Sequence, residues 1–206
     1  MTEQAPCDLP IILLAAGQSR RMRGADKLLE EVDGMPLLRR QANMACEVTA
    51  GPVLVALPPA PHPRYQCLDA LGVNRIPVAN ASEGMNASLR AAFAALPPKA
   101  PAAMLLLADL PELTAQDLRT VLQAVDLTSE TLIWRGVTEG GEPGHPIVFA
   151  AELFSAFAAL TGDSGGRSIV ESAGDRMTLV PLPGNHARCD LDTPEAWAAW
   201  LAARPA

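Results

Sequence analysis

Along this chain, short and fully apolar runs alternate with longer stretches of helical spacing. Leu9–Ala16 (LPIILLAA), Pro52–Leu57 (PVLVAL) and Ala102–Ala108 (AAMLLLA) show no polar alternation, as expected of strands covered on both faces. Arg75–Ala79, Thr131–Arg135, Pro146–Phe149 and Met177–Leu182 are further strand candidates. Helical spacing falls near Pro36–Glu47, Ala87–Leu96, Thr114–Val125, Ala151–Leu160 and Pro194–Ala203. This alternation predicts an α/β fold with a Rossmann-like, doubly wound, mostly parallel sheet. In such sheets ligands bind beyond the carboxyl ends of the strands. Pro97–Pro101 reads as a helix-to-strand connection, and no repeat or long linker breaks the pattern. Residues 1–206 are therefore expected to form a single domain.

Composition narrows the function. The chain is 49% hydrophobic and 19% charged, which favours an ordered core over disorder. Only 4% of residues are aromatic and the net charge is -7, so a nucleic-acid partner is not expected. No apolar run reaches the ~18 residues that span a membrane. Met1–Asp8 has no basic region leading into a long apolar stretch, so no secretion signal is expected. Cys7, Cys46, Cys67 and Cys189 are widely spaced without a Cys-x-x-Cys pair, which argues against a zinc site or disulfide framework and for a reduced, cytoplasmic protein.

Against this acidic background one basic cluster stands out. The first strand runs into Leu14-Ala15-Ala16-Gly17-Gln18-Ser19-Arg20-Arg21-Met22-Arg23-Gly24-Ala25-Asp26-Lys27. Gly17 and Gly24 permit tight turns whose amides can cradle an anion, and four cations crowd the same loop. Neither Gly-x-x-x-x-Gly-Lys-Ser/Thr nor Gly-x-Gly-x-x-Gly is present. Lys27 is one of two lysines, with Lys99; spacing alone leaves open a solvated loop with an incidental lysine. Asp109 follows the most apolar strand, where it can hold a metal on phosphates or cap a turn. Asn86 reads equally as a helix N-cap or a nucleotide contact. Trp197 and Trp200, at helical spacing, read as core packing.

The loop through Leu28-Leu29 resembles the signature of the MobA-like NTP transferase family, and within it the molybdenum cofactor cytidylyltransferases. Arg23 stands where the family has the first of paired glycines, and Ala108 where it reads Gly-Asp-x-Pro. The segments Asn80–Leu89, Gly144–Phe149, Thr161–Arg167 and Cys189–Glu195 are similar to later family motifs, in the same order.

The resemblance implies a fold of the nucleotide-diphospho-sugar transferase type. It implies nucleotide contacts by Leu14, Ala15, Ala16, Gly17, Ser19, Arg21, Lys27, Asn80, Gly84, Met85 and Ser88. Acceptor contacts would come from Gly144, His145, Pro146, Asp163, Gly165 and Arg167. Mg²⁺ would sit on Asp109 and on Asp192, with Asp190 as the alternative, because alternating carboxylates on a strand face opposite ways. Lys27, Arg21 and Asp109 would carry catalysis. The implied reaction moves CMP from CTP to a molybdopterin-type acceptor, and a transient contact with a molybdenum hydroxylase follows from that product. Guanylyl-transferring relatives look like Leu-Ala-Gly-Gly, so the methyl of Ala16 implies less room for a purine. A related transferase with another base or an acceptor such as an alditol phosphate, and a cofactor-binding maturation chaperone that does not transfer, are the rival expectations.

Overall fold

The computed structural model describes residues 8–162 and 165–204. In chain order the strands are β1 (Ile11–Leu14), β2 (Glu31–Val32), β3 (Met35–Pro36), β4 (Val53–Leu57), β5 (Val73–Pro77), β6 (Ala102–Leu107), β7 (Ile133–Val137), β8 (Pro143–Ala150) and β9 (Met177–Pro181). The helices are α1 (Leu37–Val48), α2 (Met85–Ala94), α3 (Ala115–Gln123), α4 (Phe154–Ala158), α5 (Arg167–Ala173) and α6 (Pro194–Ala203). Seven strands form one sheet in the order β5-β4-β1-β6-β8-β7-β9. Every pairing is parallel except the two made by β8, which runs against β6 and β7. This is the expected doubly wound, mostly parallel α/β sheet. α1 packs against α3, and α2 against α4, so helices flank the sheet in two groups.

The unbroken apolar runs become the central strands because both of their faces are covered. Ile11, Ile12, Leu13, Val55, Ala56, Leu57 and Leu106 are all fully buried. All four phenylalanines are spent on one cluster between α2, β8 and α4, where Phe93 stacks on Phe157 at 3.5 Å and Phe149 and Phe154 meet them edge-on. Thr114 closes a capping box with Asp117 at the start of α3, and Thr193 caps α6 through the amide of Ala196.

Some local expectations are corrected. The first strand spans only Ile11–Leu14, because Ala15 begins the loop that leaves the sheet. The expected helix over Ala151–Leu160 is a 3-10 turn, Ala151–Leu153, followed by the five residues of α4. A small hairpin, β2–β3, turns on Asp33 and Gly34, both at positive φ. Asn86 is not an N-cap: Gly84 occupies that place, and the buried Asn86 amide donates to the Thr161 carbonyl at 2.7 Å. Cys189–Thr193 lies in a loop rather than following directly on a strand.

Candidate active site

β1 and β6 pair in parallel with Leu14 opposite Leu107, so the loop after β1 and the Asp109 turn leave the sheet at the same level. A cleft of about 420 Å³ opens there. Its walls contain every expected nucleotide contact except Asn80, together with Asp109 and Asp192. Asn80 is exposed and begins the short 3-10 turn Ala81–Glu83 instead. Arg20, one of the four cations of the loop, also lines the cleft; Gln18, Leu28, Leu107 and Ala81–Glu83 line it too and were not anticipated.

At its mouth, three distant parts of the chain meet. Lys27 Nζ donates to Asp109 Oδ2 at 2.5 Å and to Asp192 Oδ1 at 2.6 Å. Arg21 Nη2 reaches the other oxygen of Asp192 at 2.5 Å. Burial alone would lower the pKa of Lys27, but the two carboxylates outweigh it and hold the ammonium above its usual range. For Asp192 burial pulls upward, and Lys27 and then Arg21 overcome it, so this carboxyl lies below the usual range. Asp190 goes the other way, raised first by burial and then by the neighbouring charge of Asp192. Between the two, Asp192 is the one that faces Lys27. Trp197 holds this loop from behind: its indole donates to the Leu191 carbonyl at 3.2 Å, and its ring meets Trp200 edge-on, as core packing requires.

Arg23 sits at φ 52, the left-handed region where glycine is the easy residue, and its guanidinium turns away from the cleft to Glu195 at 2.7 Å. The partly buried ion pair of the loop is one the sequence did not announce. Arg64, in the 3-10 helix Pro63–Leu68, reaches back to Asp26 through two contacts of 2.7 and 2.6 Å. Asp26 belongs to the motif, but nothing local pairs it with a residue 38 positions away.

The expected acceptor residues are more scattered. Gly144 is buried, and a Cβ there would overlap the Ala187 carbonyl; it is a close-packing glycine that lets β8 lie against the segment leading to Asp192. Pro146 is buried in the same strand. Burial, and then Arg135, push the pKa of His145 down to about 4, with Asp109 opposing. His145 is thus neutral near pH 7. Gly165 approaches Met85, which lines the cleft. Arg167 is exposed and pairs with Glu171 one turn on, outside the cleft wall. Asp163 lies outside the described residues. Of the other histidines, His62 caps the 3-10 helix through the Arg64 amide, and His186 Nδ1 lies 2.9 Å from Asp117 Oδ2, a neighbour its sequence position did not suggest. Among the described residues no helix is long and apolar enough to cross a membrane.

Comparison with known proteins places this fold among others. The fold matches Rv0371c from Mycobacterium tuberculosis H37Rv with a TM-score of 0.81 at 26% identity, covering 96% of this chain and 99% of that one. The same mycobacterial protein in complex with manganese matches at 23% identity and a TM-score of 0.78, covering 96% of this chain and 100% of that one. CMP:2-keto-3-deoxy-manno-octonic acid synthetase complexed with CTP shares the fold at 15% identity, with a TM-score of 0.71 and coverage of 94% and 97%. No curated protein matches the chain. Residues 11–177 match the MobA-like NTP transferase domain, a span from β1 to the start of β9 that includes the glycine loop, Lys27 and Asp109, and the chain therefore belongs to this family of nucleotidyltransferases.

Proposed function

We propose that this protein transfers CMP from CTP to the phosphate of molybdopterin carrying molybdenum, releasing pyrophosphate and forming a cytosine dinucleotide cofactor. The observation that carries this reading is the meeting of Lys27, Asp109 and Asp192 at the mouth of a cleft walled by the glycine loop. An oxygen of the acceptor phosphate attacks the α-phosphorus of CTP. A P–O bond forms there, the bond to the bridging oxygen breaks, and its electron pair leaves with pyrophosphate. Such a reaction needs positioning and charge neutralisation more than proton transfer. Lys27 and Arg21 face the side on which the leaving charge builds. His145, being neutral, serves the acceptor side as a positioning group rather than a cation. With it, Gly144, Pro146, Asp163, Gly165 and Arg167 complete the acceptor side of the proposal.

Asp109 and Asp192 suit a divalent cation. Their oxygens already enclose one positive charge, the Lys27 ammonium, at 2.5 and 2.6 Å. Among the described residues no cluster of three or more ligating side chains occurs, and a pair of carboxylates that leaves positions for phosphate oxygens and water is what Mg²⁺ favours. Bound there, Mg²⁺ would supply positive charge to the reacting phosphate oxygens. Lys27 keeps the two like charges together, and its flexible stem lets the ammonium turn toward a phosphate. The methyl of Ala16, in the cleft wall, favours the smaller base. The free thiols of Cys46, Cys67 and Cys189 suit the reducing cytoplasm, where a molybdenum hydroxylase would be the transient recipient of the product.

Pyrophosphate release measured with each NTP, with and without molybdopterin, tests the reading. Release only with CTP plus molybdopterin supports it. Release with GTP, or with an alditol phosphate as acceptor, replaces the substrate assignment. Nucleotide binding without release from any pair makes the protein a maturation chaperone instead.

A further inference from the structure

The loop that carries Lys27 is irregular, with Ser19, Arg23 and Gly24 all at positive φ. It is also bordered by open space. Residues Ala16–Arg20 line both the nucleotide cleft and a second cavity of about 600 Å³. Ala16 and Met22 pack into the core, while Gly17, Gln18 and Arg20 between them are exposed. One side chain from outside the loop, Arg64, only 2% exposed, reaches both of its ends.

Arg64 spends its guanidinium fork on this loop. Nη1 donates to the Ala15 carbonyl at 2.6 Å, where the loop leaves β1. Nη2 donates to Ser19 Oγ at 3.3 Å, in its middle. Nε and Nη2 grip the two oxygens of Asp26, the residue before Lys27, where the loop ends. Asp26 in turn accepts from Ser19 Oγ at 3.3 Å and from the Leu28 amide at 3.1 Å. The Lys27 amide closes the ring by donating to Ser19 Oγ at 3.3 Å. Both ends of the loop are thus tied to one rigid planar group. A buried ion pair is weak evidence for stability, because desolvation offsets much of its attraction; fixing one arrangement among several is its better-attested use.

We propose that Arg64, acting through Asp26, is a positioning residue for nucleotide binding and transfer: it sets the shape of the loop before the nucleotide arrives, so that Lys27 and the loop amides meet the phosphates without first being ordered. The transfer part rests on the nucleotidyltransferase reading; the binding part does not.

Arg64→Lys keeps the charge and loses the fork, and Asp26→Asn keeps the shape and weakens the grip. The control is Arg39→Lys. Arg39 holds the same 3-10 helix from α1, through the carbonyls of Cys67 and Asp69, without touching the loop. CTP affinity by calorimetry, amide exchange over residues 17–28, melting temperature and turnover are read on all four proteins. Arg64→Lys should weaken CTP binding by about tenfold, the scale of one lost charged hydrogen bond. It should lower turnover by on the order of 100-fold, as a misplaced catalytic group does. Exchange over residues 17–28 should quicken without nucleotide and slow again when CTP saturates the protein. Asp26→Asn should move the same readouts in the same direction and carries the test if Arg64→Lys does not fold. Arg39→Lys should lower the melting temperature alone. Wild-type CTP affinity and loop exchange in both loop variants would overturn the proposal, as would an Arg39→Lys that loses affinity as they do. A wild type that binds CTP but transfers nothing would overturn the transferase reading and leave the binding and exchange results to support or refute the clamp.

Discussion

The Lys27 ammonium lies 2.5 Å from a carboxylate oxygen of Asp109, across 82 residues of chain, and the same nitrogen reaches Asp192, 165 residues away. One cation therefore organises the first loop, the turn after the central strand and the entry to the last helix. The consequences of that junction can be measured.

Lys27→Arg keeps the positive charge, so CTP binding should be largely retained. A planar guanidinium is wider than a compact ammonium and sets its charge in a different place between the two carboxylates, so turnover should fall by on the order of 100-fold. Lys99→Arg, in the exposed connection before β6, should change neither quantity. Equal transfer rates for Lys27→Arg and the wild type would remove Lys27 from the reacting phosphates.

Asp109→Asn removes a charge without removing bulk. Turnover should fall by about 100-fold or more, the scale of a lost electrostatic group in a transition state. The pair it breaks is partly exposed, so the melting temperature should move by only ~2–4 °C. Retained pyrophosphate release in this variant would refute the metal assignment.

Two glycines should behave in opposite ways. At Gly144 an added Cβ overlaps backbone of the Ala187 segment, and Gly144→Ala should cost about 1–3 kcal/mol or more, lowering the melting temperature clearly. At Gly17 the added Cβ meets nothing within 4 Å, because the space beside it belongs to the cavities it lines. Gly17→Ala should melt like the wild type and bind CTP more weakly. Differential scanning calorimetry with titration of CTP separates the two.

His145 carries a pH signature. Its pKa, about 4 in the folded protein, lies below the ordinary 6.5 because burial and then Arg135 disfavour the charged ring, against the pull of Asp109. Between these values the unfolded chain binds a proton that the folded protein refuses, so stability should fall as the pH drops from about 6.5 toward 4. His145→Gln should flatten that segment of the profile. An unchanged slope in urea titrations over this range would show that His145 is not the group responsible.

Much of the fold is legible in one sequence. Each predicted strand overlaps one in the sheet; for the central strands an unbroken apolar run is the local signature of burial on both faces, while β5 and β9 lie at the edges and are partly exposed. The β2–β3 hairpin was invisible because two-residue strands have no periodicity to read. The reversed direction of β8 was also invisible, since apolar pattern is the same whichever way a strand runs. At the site, the loop motif and Asp109 could be found by their place after strands. Asn86 could not be resolved, because an amide near a helix start serves caps, ligands and tertiary ties alike; here it ties α2 to Thr161.

The sequence by itself determined which segments become buried strands and helices, and which loop concentrates positive charge at a strand's end. These are properties of neighbours along the chain, set by side-chain period and backbone preference. Only the tertiary structure decided that Asp192 rather than Asp190 faces Lys27, that Arg23 leaves the cleft for Glu195, and that Arg64 grips both ends of the loop. Each of these depends on contacts across tens of residues, where direction and distance come from packing the sheet and its helices together. No spacing within a motif encodes them.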